Sequence, residues 1–371
     1  ETGTSPTTTT TTFTPNPALT GLADNTALDL GTFACTEVGG SPCAQVTDYS
    51  GFVYDANHHR FLMFGGGHAT TMTDTVFAFD LDATLTWSEL YPPTPCDRMT
   101  ADNLDPVAGA WVSGAGGPFP RPVSVHTYDQ TAFVPALDQF VLISRLFSGG
   151  SCNEVGNDIG GPLASYDLAT GDWSFTTAYV TDGATIDATE FDPVSGLIVT
   201  LGGSGLGLYD PSTEAYDHAV DAYAGGGLTT SGGDPIGFSE LGYANHLVYF
   251  PPTDAFWYFD RGGATWELRL DRADPTRSTL DRVATTGPFP PHQEPGYAYD
   301  SHARIIGGAV TDDTFYAFDP ATATWTSQRV DGGSPGTQAF HALNYDPVNN
   351  VFVFVTGYPD GFHTWAYRYR N

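Results

Sequence analysis

FDPATATW, residues 318–325, is the clearest copy of the pattern that decides the fold. An aromatic residue ends one apolar stretch, Asp-Pro starts a turn, and a tryptophan opens the next stretch. The pattern returns as FDLDATLTW (79–87), YDLATGDW (166–173), YDPSTEAY (209–216) and FDRGGATW (259–266). Aspartate and proline favour turns, and aromatic residues favour strands, so each copy reads as a β-hairpin. A second element precedes each copy: an aromatic-rich strand, a turn, then an apolar strand that often ends in glycines. GFVYDANHHRFLMFGGG (51–67), TEFDPVSGLIVTLGG (189–203), YAYDSHARIIGG (297–308) and NYDPVNNVFVFVTG (344–357) are its copies.

Two hairpins make a four-stranded sheet, and the spacing of the copies is that of a β-propeller blade. The double glycine together with the aromatic-Asp…Trp spacing resembles the Kelch repeat family, including the galactose-oxidase-like propeller, over residues 48–371. The expected fold is all-β, a single Kelch-like β-propeller. Six blades are expected, near 48–92, 122–178, 184–222, 237–271, 292–331 and 338–371. NTALDLGTF (25–33) is expected to close the last blade, whose own sequence ends without an outer strand. The alternative is seven blades, with a degenerate one hidden in 97–121. In blade four, YFPP (249–252) stands where the glycine pair is expected. No segment sustains a helical apolar period.

The first residues read differently. ETG looks like an expression remnant left after signal cleavage, and TSPTTTTTTFTPNP is too polar to fold alone. The expected organisation is therefore a Thr/Pro-rich stalk over 1–20 and the propeller over 21–371. No run approaches the roughly 18 apolar residues that span a membrane. Membrane insertion is not expected; a secreted or cell-surface, extracellular protein is. The chain has 43 acidic and 13 basic residues, and all of the basic ones are arginine. A net charge of −30 excludes a nucleic-acid-binding face, which must be basic. The four cysteines, Cys35, Cys43, Cys96 and Cys152, form no C-x-x-C pair. In an exported chain they read as two disulfides, Cys35–Cys43 and Cys96–Cys152. A closed ring leaves no free sheet edge, so a monomer is expected.

In a propeller, the loops entering the innermost strands converge on one face. Candidate residues at those positions are His68 in GGGHATT, His126 and Tyr128 in RPVSVHTYDQ, and Arg145 at the end of QFVLISR. His126 and Tyr128 are two apart and would share a strand face; Arg145 would lie across the hairpin from Tyr128. Arginine neutralises a substrate carboxylate, and histidine or tyrosine exchanges protons with the adjacent carbon and the leaving oxygen. That chemistry is β-elimination of a uronic-acid polysaccharide. The trio also resembles the propeller polysaccharide lyases of the ulvan lyase type. That resemblance implies acid, base and cation roles for His68, Tyr128 and Arg145, although the second histidine of those enzymes has no counterpart here.

Further polar residues at inner-strand entries are Asp187, Thr189, Glu240, His292, Gln293, Glu294, Gln338 and His341. Glu240, Gln293 and His341 are the candidates for substrate binding. His58 and His59 fall in a turn at the opposite end and read as solvent-exposed. No cofactor is implied, beyond calcium that acidic loops are able to hold without a linear motif. A copper-radical oxidase needs a tyrosine cross-linked to a free cysteine, and the cysteines are already assigned. Three functions remain open. One is a polysaccharide lyase. The second is a non-catalytic module binding a polysaccharide, cell-surface glycan or protein. The third is a structural adhesion head.

Overall fold

The computed structural model describes all residues except 1–11, 40–45, 48, 66–72, 83, 115, 144–145, 148–151, 153–161, 178–187, 242–244, 292–293, 358–362 and 371. The described residues form six sheets of at least four strands each, antiparallel except where Leu228–Thr229 runs parallel to Thr279–Val283. Sheet one consists of Val53–Asp55, Arg60–Phe64, Val76–Asp80 and Trp87–Glu89. Sheet two is Thr131–Val134, Gln139–Leu142, Ala164–Asp167 and Asp172–Phe175. Sheet three is Ala188–Phe191, Ile198–Gly202, Gly205–Asp210 and Ala215–Asp221. Sheet four is His246–Phe250, Ala255–Phe259, Thr265–Arg269 and Thr279–Val283, with the short strands Leu228–Thr229 and Pro235–Ile236 added outside. Sheet five is Tyr297–Asp300, Ile305–Thr311, Thr314–Asp319 and Thr324–Arg329. Sheet six takes Gln338–Asp346, Val351–Thr356 and His363–Arg368 from the C-terminal end and Thr26–Thr32 from the N-terminal end.

The first strands of the six sheets neighbour one another in order, and the first strand of sheet six touches that of sheet one. The apolar side chains fill the spaces between successive sheets. One cluster joins Phe61, Met63 and Phe77 of sheet one to Val351, Val353 and Val355 of sheet six. Another joins Leu62 and Phe64 of sheet one to Phe140 and Leu142 of sheet two. Similar clusters lie between sheets two and three, three and four, four and five, and five and six. This is why the middle strands read as continuous apolar runs: both of their faces are covered.

The repeat aromatics sit in these inter-sheet spaces. The indole of Trp87 donates to Thr364 Oγ1 of sheet six at 2.8 Å. That of Trp173 donates to Tyr91 Oη, just beyond sheet one, at 2.8 Å. Trp325 packs against Phe259 of sheet four. The repeat aspartates hold their turns. Asp167 Oδ1 accepts from the main-chain N–H groups of Ala169 and Thr170, and Asp319 Oδ1 accepts from that of Ala321.

Several expectations need correction. In sheet four the FD…W hairpin joins the second and third strands, and the outermost strand is Thr279–Val283, beyond the expected limit at 271. YFPP is therefore the turn of the first hairpin, not a replaced glycine pair. Segment 97–121 forms a three-stranded sheet of Leu104–Asp105, Ala110–Trp111 and Arg121–Pro122. Its Trp111 packs into the cluster between sheets one and two, while the first strands of those two sheets touch directly. The Thr/Pro tract is docked from Phe13 onward. The Phe13 ring rests on His59, Asn16 caps the short helix Pro17–Thr20, and Leu19 is buried between sheets one and six. Residues 1–11 of that tract lie outside the described residues.

The Cys96–Cys152 disulfide is present. Cys35 is also disulfide-bonded, while Cys43 lies outside the described residues. Among the described residues, no helix is long and apolar enough to cross a membrane.

Candidate functional site

Each first strand carries an aromatic residue at its last or second-to-last position, just before the turn. Tyr54, Phe133, Phe191, Tyr249, Tyr299 and Tyr345 are the six equivalents, one per sheet, and all line a cavity of about 350 Å3. Ala56, Pro135, Pro193, Pro251, Ser301 and Pro347, two residues further on, line it as well. Because the first strands adjoin, rings at the same position on each are brought around one space. The volume lies in the range of small-molecule pockets.

Asp129, Thr189, Glu190, His246 and Tyr297 also line the cavity. Asp129 Oδ1 lies 2.8 Å from His246 Nδ1. Its Oδ2 accepts from the main-chain N–H groups of Leu247 at 2.9 Å and Thr189 at 3.2 Å. Burial pushes the Asp129 carboxyl above its ordinary range, against the opposing pull of His246. Burial, with the nearby Asp129 carboxylate, holds the Glu190 carboxyl well above its ordinary range. The His341 ring stacks parallel to that of His246, with centroids 6.0 Å apart. No arginine among the described residues lines the cavity.

Beside this polar end lies a knot of aromatic rings. Tyr49 contacts His126, Tyr128 and Phe340, with ring centroids 5.3, 5.1 and 4.6 Å away. Tyr49, Tyr128 and Phe340 have φ of +61°, +45° and +33°. Bulky residues rarely adopt that backbone, and each such residue costs on the order of 1–3 kcal/mol. Three together, from the entries to sheets one, two and six, mark a place where the surroundings enforce one ring arrangement. Tyr128 N–H donates to Tyr49 O at 2.7 Å, which ties two of the three together.

The structure brings together only part of the set expected from sequence. Tyr128 Oη and His126 Nδ1 are 3.3 Å apart. They meet through a turn rather than on one strand face, because the inner strand begins only at Thr131. His341 is buried beside them, facing the Tyr128 ring edge-on at 6.2 Å. His68, Arg145, Gln293, Asp187 and His292 lie outside the described residues. Glu240 is exposed in the turn Phe238–Glu240 and does not line the cavity, contrary to expectation, because the inner strand of sheet four starts later, at His246.

Thr189 lines the cavity, and Glu294 is buried. The Gln338 amide is held by Phe340 O and the Val310 N–H. His59, expected to be exposed, is fully buried, because its ring lies between Asp82 and Asp346. Sequence reading missed Tyr49, Asp129, Glu190, His246, Tyr297 and the six aromatics. The aromatic at a constant position before each first turn was the available signal for the last group.

No family model matches the chain, and no curated protein matches it. Solved structures do. A structural genomics protein of unknown function from Bacteroides thetaiotaomicron aligns over 92% of this chain and 75% of its own, at 9% identity and a TM-score of 0.52. An auxiliary nutrient binding protein from Bacteroides ovatus aligns over 92% and 76%, at 13% identity and a TM-score of 0.51. Another auxiliary nutrient binding protein, from Bacteroides thetaiotaomicron, aligns over 95% and 74%, at 11% identity and a TM-score of 0.51. At such identities the likeness is one of fold alone.

Proposed function

We propose that this chain is a secreted, six-bladed Kelch-like β-propeller that binds a carbohydrate in its central cavity. The cyclic adjacency of the six first strands supports the architecture. The observation that carries the function is the cavity itself. Six aromatic side chains surround it, and Asp129, Glu190 and His246 contribute to its lining. Sugars offer apolar C–H faces to aromatic rings and hydroxyls to carboxyl and imidazole groups. Neighbours described as nutrient-binding proteins agree with this reading.

Titration calorimetry of the full chain against neutral and uronic oligosaccharides tests it. At least one sugar should bind, and Tyr299→Ala, which removes one cavity ring, should weaken it by about tenfold. Absence of heat with every sugar, or unchanged binding in the variant, overturns the reading.

The 3.3 Å approach of Tyr128 Oη to His126 Nδ1 favours a second reading, β-elimination of a uronic-acid polysaccharide. Its sign is growth of ultraviolet absorbance from an unsaturated product, abolished by Tyr128→Phe. No such product across a panel of uronic-acid polymers leaves the binding function alone.

A further inference from the structure

His246 and His341 lie in the first strands of the fourth and sixth sheets, and Asp129 in the turn that leads into the first strand of the second, so the three come from alternate positions in the series of adjoining first strands. Alternate positions around a closed ring are the positions from which three side chains converge on one point. One ligand-capable atom from each lies within 4.8 Å of the others, and all three residues are buried. We propose that these residues form a binding site for a divalent transition-metal ion such as zinc.

Two imidazoles and one carboxylate suit such an ion, with bonds of about 2.0–2.2 Å. Ligand atoms of a tetrahedral site then stand roughly 3.3 Å apart. The 2.8 Å between Asp129 Oδ1 and His246 Nδ1 already falls near that spacing. The groups around the ligands are arranged as outer supports commonly are. The main-chain N–H groups of Leu247 and Thr189 hold Asp129 Oδ2, which leaves Oδ1 to face the histidine. The Tyr297 and Tyr128 rings meet His246 and His341 edge-on, at 5.9 and 6.2 Å between centroids.

An independent observation points to a bound group here. Thr189 Oγ1 is buried with no hydrogen-bond partner among the described residues, and Thr189 lines the cavity with Asp129 and His246, its own main-chain N–H bonded to Asp129 Oδ2. A buried hydroxyl without a partner is costly, and water or a ligand held on an ion would satisfy it. The three protein ligands leave at least one coordination position for such a group.

The test uses the full chain, stripped with EDTA and then titrated with zinc chloride or cobalt chloride. Bound metal is measured by mass spectrometry after gel filtration, and cobalt coordination by its visible absorption bands. One ion per chain is expected, with cobalt bands typical of nitrogen and oxygen ligands. His246→Gln and His341→Gln should each weaken binding at least about tenfold, the loss already produced by removing a supporting group. The cluster of Asp55, His58 and Asp138, in which His58 is exposed, is the internal control, and His58→Gln should change nothing. Binding lost in His58→Gln but kept in His341→Gln overturns the assignment. So does the lack of any cobalt band at saturation in the unmutated protein, a result that does not depend on the variants folding.

Discussion

His59 sits at a left-handed turn position, φ +50°, and its ring is buried between Asp82 and Asp346. Burial alone would lower its affinity for a proton, but the Asp346 and Asp82 carboxylates outweigh it and hold the imidazole above its ordinary value. A group raised on folding stabilises fully below its unfolded value and loses that contribution as the pH rises through the folded one. His59→Gln should therefore destabilise the protein at about pH 6, below the free imidazole value, and do so progressively less as the pH rises above it. Thermal melts of both proteins across that window provide the check; a difference independent of pH would remove the charge from the explanation. Because Asp346 belongs to sheet six and His59 to the first turn of sheet one, the same ring also joins these two sheets.

At the scale of elements, the first hairpins are six versions of one device. A residue just before the second strand, or two before it in sheet three, is left-handed in each: His59, Asp138, Gly196, Asp254, Arg304 and Asn350. An aspartate at the turn start accepts main-chain N–H groups in four of them, at Asp55, Asp192, Asp300 and Asp346. Asp192 and Asp254 are also shared between sheets. Arg272, in the long connection before the outer strand of sheet four, makes two bonds to Asp192 and two to Asp254. Its charge and hydrogen bonds overcome the burial of Asp192 and hold that carboxyl below its ordinary value. Arg272→Met leaves a fully buried carboxylate without its cation, and should cost on the order of 2–3 kcal/mol in denaturant unfolding. A loss below about 0.5 kcal/mol would class the bridge with ordinary surface pairs.

The whole molecule depends on the N-terminal strand. Thr26–Thr32 pairs with His363–Arg368, matching Leu28 with Ala366, and Ala27 N–H donates to Asp331 O near sheet five. A strand from the opposite end of the chain satisfies an edge of sheet six that would otherwise be open. Deleting residues 1–11 should leave the thermal midpoint unchanged. Deleting residues 1–33 removes the strand and the buried Leu19, and should lower the midpoint by about 10 °C or more. Equal effects of the two deletions would contradict closure by this strand.

The all-β character, the four-stranded antiparallel sheets and the pairing of the N-terminal strand with the last sheet were legible in the sequence, because they rest on local rules. Aspartate and glycine mark turns, β-branched and aromatic residues mark strands, and a repeated unit repeats its structure. The outer strand of sheet four was missed because the FD…W motif specifies a hairpin, not its place in a sheet. The burial of His59 and the convergence of Asp129, His246 and His341 were decided only by tertiary structure. The three converging residues are separated by 117 and 95 positions in the chain. No local pattern encodes their meeting, because it depends on how sheets far apart in the sequence are placed beside one another. Sequence determined what each sheet is made of; the placement of the sheets against one another decided which side chains meet.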